Sequence, residues 1–160
     1  MKADYTDTYT TTVRNARRMT APDLFRLMFV RYPKPVQYLL RLRNRLVKPF
    51  GLKAGGGFTD LIQEQNEENV VFGKQDKHLT FEVRLTCSPP DAYKQCQTIQ
   101  ITTSVQFHNT LGRIYFFFIR PFHRLICRSL LKRAARNWER DALKEQIKLE
   151  NNETNRTLNI

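Results

Sequence analysis

At 160 residues and 19.0 kDa, with 41% hydrophobic and 26% charged residues, the chain has the size and balance of one globular domain. A chain of this length buries roughly two-thirds of its unfolded surface, so neither a metal nor a disulfide is needed to hold it together. The net charge of +12 favours contact with nucleic acid or an anionic membrane, or serves simply as a solubility feature; it says nothing of fold.

Cys87, Cys96 and Cys127 form no short-spaced pair, which argues against a secreted disulfide scaffold and points to a reducing, cytoplasmic setting. One disulfide with one free thiol is the alternative. The opening Met1 to Tyr5 has no apolar h-region, so no signal peptide is expected. The most hydrophobic window, Ile114 to Ile119, falls far short of the ~20 apolar residues that cross a bilayer.

Asp4 to Val13 carries Tyr5, Tyr9 and a run of threonines, and these residue types predict a first strand. Thr20, Pro22 and Asp23 then predict a capped helix with Leu24, Phe25, Met28 and Phe29 on one face, ended at Tyr32 to Pro35. A second short helix is predicted from Pro35 to Val47. Gly51 and Gly55 to Gly57 follow, and they lack both the P-loop context and the dinucleotide spacing, so they read as a connection.

From Phe58 the chain reads as sheet: a weak strand to Gln65, a short one at Val70 to Phe72, and two long alternating strands. His78 to Cys87 places Leu79, Phe81, Val83, Leu85 and Cys87 on one face, and Ile99 to Phe107 repeats the pattern. Pro89-Pro90-Asp91 marks the turn between them, and antiparallel pairing with Cys87 near Gln97 is expected. A helix from about Arg113 then reaches Lys148, with Pro121 expected to kink it or mark a boundary. Residues 1–148 thus read as one domain and 149–160 as a disordered polar tail.

The fold expected is α+β: a curved antiparallel sheet wrapped around a long C-terminal helix, the only element able to cover its apolar face. Eleven phenylalanines and six tyrosines either line a cavity between sheet and helix or fill that space completely.

Asp76-Lys77-His78-Leu79-Thr80-Phe81 and the segment from Thr102 to Ala134, with Leu42 to Lys53 and the opening Asp4-Tyr5-x-Asp7, resemble a bacterial family known as domain of unknown function 2867 (DUF2867). The likeness runs to about residue 135, and its most specific strings are DxHLxF and HNxLGRxYFxxIxPFHRL. That family is similar to the START/polyketide-cyclase-like (SRPBCC) helix-grip superfamily, whose members mostly bind lipids, sterols or aromatic polyketides between sheet and helix. The resemblance implies that fold and, by extension, a small apolar or lipid-like ligand. It implies no activity.

On that reading His123, Phe122, Tyr115, Phe118, Phe81 and Tyr5 are the candidate ligand contacts. The runner-up is an enzyme acting on an apolar substrate with Asp76, His78, His108 or His123 as acid or base. His78 and His108 share the parity of the sheet's polar face, which favours a structural cluster closing the hairpin. His123 either joins a cavity or hydrogen-bonds to the first strand. Asp4 and Asp7, with the Tyr5 and Tyr9 hydroxyls, either line a pocket or belong to a capped edge strand. Cys127, one turn after His123, has the spacing of a thiol–imidazole pair but the flanks of a core residue. No convergent set of ligands suggests a metal, and no cofactor is expected.

A third reading uses charge. Arg120, Arg124, Arg128, Lys132, Arg136 and Arg140 recur every four residues and wind around the helix, and 113–148 holds ten basic and three acidic residues. Such a helix suits an anionic membrane or nucleic acid, or is a solvated basic face. The sequence leaves oligomeric state open.

Overall fold

The computed structural model describes residues 2–14, 17–30 and 58–158, with side chains for these residues as far as 152 except at Phe58. The predicted helix at Pro35 to Val47 and the glycines at 51 and 55–57 lie outside the described residues.

The first strand, β1 (Tyr5–Arg14), leads to α1 (Ala21–Phe25), which runs on as a π-helical turn, Arg26–Val30. The capping box anticipated at Thr20 is present: its hydroxyl accepts from the Asp23 N–H, and Asp23 accepts from the Thr20 N–H. The wider π winding coincides with Phe25 and Phe29 both meeting Phe72, at ring separations of 5.3 and 5.0 Å. The stretch read as a weak strand from Phe58 is a 3-10 turn, Phe58–Leu61, followed by β2 (Ile62–Gln65). Then come β3 (Asn69–Gln75), β4 (Leu79–Cys87), β5 (Cys96–Phe107) and one long helix, α2 (Thr110–Leu158).

The strands form one antiparallel sheet in the order β1-β5-β4-β3-β2. The long C-terminal helix lies over β1 and β5, while α1 covers β3 and β4. This is the expected α+β helix-grip arrangement. Alternate residues of β4 and β5 are buried as the period-two pattern requires, and Val13, Met19, Leu24, Phe72, Leu85, Ile99, Ile101, Leu131 and Trp138 fill the main core. A smaller cluster of Leu79, Val105 and Phe116 packs with Tyr5, Phe81, Phe107 and Tyr115 where α2 begins.

The β4–β5 register differs by two residues from the sequence expectation: Cys87 pairs with Ile99, not Gln97. The cause is Gln97 itself. Its buried amide accepts from the Met19 N–H at 2.9 Å and donates to the Met19 and Ser88 carbonyls, both at 2.7 Å. One side chain thus satisfies three backbone groups, two of them on the fully buried Met19. A shift of two preserves parity, so the faces are as predicted although the partners change.

Helix α2 begins three residues before Arg113 because Asn109 caps it, accepting from the Gly112 N–H at 3.0 Å. Pro121 marks no boundary. It sits on the exposed side of a continuous helix, and the residue whose carbonyl loses its partner, Phe117, is exposed as well. The helix also continues through the stretch read as a disordered tail from 149, as far as Leu158. No glycine or proline after Pro121 supplies a stop.

Candidate functional site between the edge strand and the long helix

β1 turns its odd-numbered residues toward α2, which places Tyr5, Asp7 and Tyr9 in a row beneath the helix. The Asp7 carboxylate gathers this row. Its Oδ2 accepts from the Tyr5 hydroxyl at 2.8 Å and the Tyr9 hydroxyl at 3.0 Å, while Oδ1 faces His123 Nε2 at 3.4 Å. His123 contacts Cys127 Sγ at 3.6–3.7 Å one turn further along. The Asp7 and His123 side chains are only 10% and 20% exposed, so the pair is shielded from solvent screening.

The environment sets the charge state. Burial alone would lower the His123 pKa, but the Asp7 carboxylate and the Cys127 contact outweigh it and raise the value to about 10. Burial would likewise raise Asp7, yet bonds from His123, Tyr5 and Tyr9 hold it below its ordinary value. Tyr9 is pushed up to about 12, first by burial and then by the adjacent carboxylate. At neutral pH the centre is therefore an imidazolium locked to a carboxylate. Such a group holds a strand to a helix, and the raised pKa of His123 favours its holding a proton over taking one.

Three arginines on α2 flank this row. The Arg120 guanidinium lies 4.9 Å over the Tyr5 ring, Arg128 lies 5.0 Å over Tyr9, and Arg124 Nε donates to the Tyr5 hydroxyl at 3.4 Å. Arg120 Nε is buried and has no hydrogen-bond partner.

The other acid–base candidates do not join this centre. Asp76 binds the backbone N–H of Lys77 in the β3–β4 turn. His78 and His108 face each other across the end of the hairpin, where the His108 N–H donates to the His78 carbonyl at 3.0 Å. His108 Nε2 meets Thr80 Oγ1 at 2.8 Å, and His78 Nδ1 meets the Asn109 amide. Both histidines carry the even parity of the sheet's outer face, away from His123. Among the described residues no three His, Cys, Asp or Glu side chains converge as a metal site, and the three cysteines are free thiols.

The candidate ligand contacts divide. Tyr5, Phe81 and Tyr115 are half-buried in the smaller cluster and His123 is tied to Asp7, but Phe118 and Phe122 face outward. They belong to an exposed apolar face that the sequence reading did not identify: Ile114, Phe117, Phe118, Phe122 and Leu125 are 50, 71, 64, 40 and 62% exposed. Further along the outer side, Lys132, Arg136 and Arg140 are exposed as well. The run of three phenylalanines at 116–118 covers most of a helical turn, so periodicity could not say which ring points outward. A separate groove of about 310 Å³ near the middle of α2 is lined by Arg17, Asp23, Arg26, Trp138, Asp141 and Glu145 among others. None of the residues singled out from the sequence as ligand contacts lines it.

Among curated proteins none matches the sequence. Among solved structures the chain is similar to one described as the crystal structure of a conserved protein from Geobacillus kaustophilus, with 9% identity, 83% of this chain and 94% of that chain covered, and a TM-score of 0.41. The sequence model of a family described as a protein of unknown function (DUF2867) matches residues 1–130. That span includes β1, both histidine clusters, the exposed apolar face and the first half of α2, and the chain belongs to the DUF2867 family.

Proposed function

We propose that this chain is a binding domain for lipid-like apolar molecules, which it meets at an anionic bilayer surface, and that it performs no chemistry on them. The observation that carries this reading is the exposed face of α2, with Ile114, Phe117, Phe118, Phe122 and Leu125 in its first half and Lys132, Arg136 and Arg140 beyond. Apolar surface of this kind, bordered by charge, is the form taken by interaction sites. A helix with large apolar groups and cations outward suits the boundary between acyl chains and headgroups.

Magnitudes favour the reading. A phenylalanine that leaves water for acyl chains contributes roughly 1.5–3 kcal/mol, and each cation near an anionic leaflet about 1 kcal/mol. Several of each together outweigh the cost of immobilising the protein on a surface. No described helix is long and apolar enough to cross a membrane, so the contact is peripheral. Core side chains pack the space under the helix, which supports a site on the helix's outer side over one between helix and sheet.

Native mass spectrometry of gently purified protein, followed by denaturing extraction, tests this. A lipid-like species should be released from the natural sequence and be lost from a Phe118→Ser/Phe122→Ser variant whose melting temperature is unchanged. A ligand retained by that variant would place binding elsewhere and sink the reading.

One observation favours an enzyme instead: Asp7 touches His123 and His123 touches Cys127, a carboxylate–imidazole–thiol set. Against it, Cys127 is buried, the Asp7 carboxylate favours the protonated form of His123, and both Asp7 oxygens are engaged. Rapid alkylation of Cys127 by iodoacetamide in the native protein would revive this alternative.

A further inference from the structure

We propose that the outer edge of β1 takes up an acidic extended segment of another protein as a sixth strand, with Arg120, Arg124 and Arg128 receiving its carboxylates. This surface is separate from the apolar face of α2, and the proposal does not depend on lipid binding.

β1 stands at the edge of the sheet and pairs with β5 over ten consecutive residues without a bulge. The parity of its hydrogen bonds follows from β5. Thr98 exchanges bonds with Ser88 on the β4 side, its carbonyl accepting at 2.9 Å and its N–H donating to the Ser88 hydroxyl at 3.0 Å. Even-numbered residues of β5 therefore bond toward β4, and odd-numbered ones toward β1. The odd residues of β1 answer them, so Thr6, Thr8, Thr10 and Thr12 turn their N–H and C=O groups outward. Arg14 shares that parity, and its outward N–H is taken by Glu139 Oε1 at 2.8 Å. One carboxylate of the chain thus already caps this edge.

An exposed edge of this length is usually blunted by proline, lysine or a bulge. Tyr5–Arg14 contains neither residue and no bulge. The helix side chains that lie against β1 bring it mostly positive charge. α2 runs alongside β1, with Arg120 at Tyr5, His123 at Asp7, Arg128 at Tyr9 and Glu139 at Arg14. Four helical residues rise about 6 Å and two strand residues about 6.8 Å, so guanidiniums every four residues nearly match alternate side chains of an added strand. Among the described residues none of the three arginines is ion-paired with a carboxylate, and Arg120 Nε is buried without a partner.

Charge also chooses between occupants. A second copy pairing edge to edge would bring two arginine ladders together, with Asp7 turned inward and neutralised by His123. An acidic strand meets the ladder with opposite charge and gains main-chain hydrogen bonds at the same time.

The test uses the full chain and a fluorescein-labelled decapeptide alternating glutamate with threonine or valine, beside the same peptide carrying glutamine. Fluorescence anisotropy should show the glutamate peptide binding at least tenfold more tightly, with affinity falling as salt rises. Hydrogen exchange at Thr6, Thr8 and Thr10 should slow when it binds. Arg124→Gln should weaken binding several-fold. Thr8→Pro should abolish it while leaving the β5 ladder intact, because the N–H removed points outward. Equal binding of both peptides, unslowed exchange at those threonines, or full binding by Thr8→Pro would each overturn the proposal, as would a dimer that the Thr8→Pro variant alone abolishes.

Discussion

Replacing Asp7 by asparagine removes the carboxylate that joins β1 to α2 while keeping the side chain's shape. The amide oxygen still accepts from a tyrosine hydroxyl, but the His123 imidazolium loses its counter-charge. Breaking a fully buried pair from one side costs about 3–5 kcal/mol. The 3.4 Å separation and the residual 20% exposure of His123 reduce this, so about 2 kcal/mol is expected near pH 6. For a chain of this length that corresponds to a fall in melting temperature of roughly 4–8 °C.

The effect must also depend on pH in a set direction. In the folded protein His123 titrates at about 10, above the ~6.5 of the unfolded chain. Its contribution is thus complete below about pH 6.5 and disappears as pH rises toward 10. Asp7 is lowered from 3.8, so its contribution is present above that value and is lost as pH falls through its folded pKa. Thermal unfolding followed by circular dichroism at pH 5, 6, 8 and 10, on both proteins, reads the difference. It should be largest at pH 5–6 and small by pH 10. A difference under about 0.5 kcal/mol at pH 6, or one unchanged at pH 10, would refute the ion-pair account.

Two further substitutions probe what positions the site. Gln97→Leu leaves the Met19 N–H and the Met19 and Ser88 carbonyls without their side-chain partner, and urea unfolding should show a loss of about 3 kcal/mol; under 1 kcal/mol would mean these groups find other partners. Gly112→Ala should destabilise by about 2 kcal/mol, although alanine in a helix usually gains about 1 kcal/mol over glycine, because an added Cβ would run into the His78 carbonyl; a stabilised variant would show that the first turn of α2 moves freely.

The sheet was legible because β4 and β5 alternate strictly, and the long helix because its buried positions recur every three or four residues from Cys127 to Trp138. Register was not legible, since the side chain that sets it, Gln97, looks from sequence like any polar strand residue. The π-helical turn after α1 was likewise hidden, because Leu24, Phe25, Met28 and Phe29 fit an ordinary helical face. Of the site joining β1 to α2, the ends are visible in the sequence: His123 can hydrogen-bond to the first strand, and Asp7 is grouped with two tyrosines. What joined them was the tertiary course of α2 over β1. The outward face of Phe117, Phe118 and Phe122 stayed hidden for the opposite reason, because abundant aromatic residues read as core until the helix shows which side is covered.

Flotation with phospholipid vesicles is the most direct measurement of the central claim. The protein should float with vesicles containing phosphatidylglycerol, much less with phosphatidylcholine alone, and progressively less as salt is raised. The Phe118→Ser/Phe122→Ser variant should remain at the bottom of the gradient. Failure of the natural sequence to float with either vesicle would contradict the account.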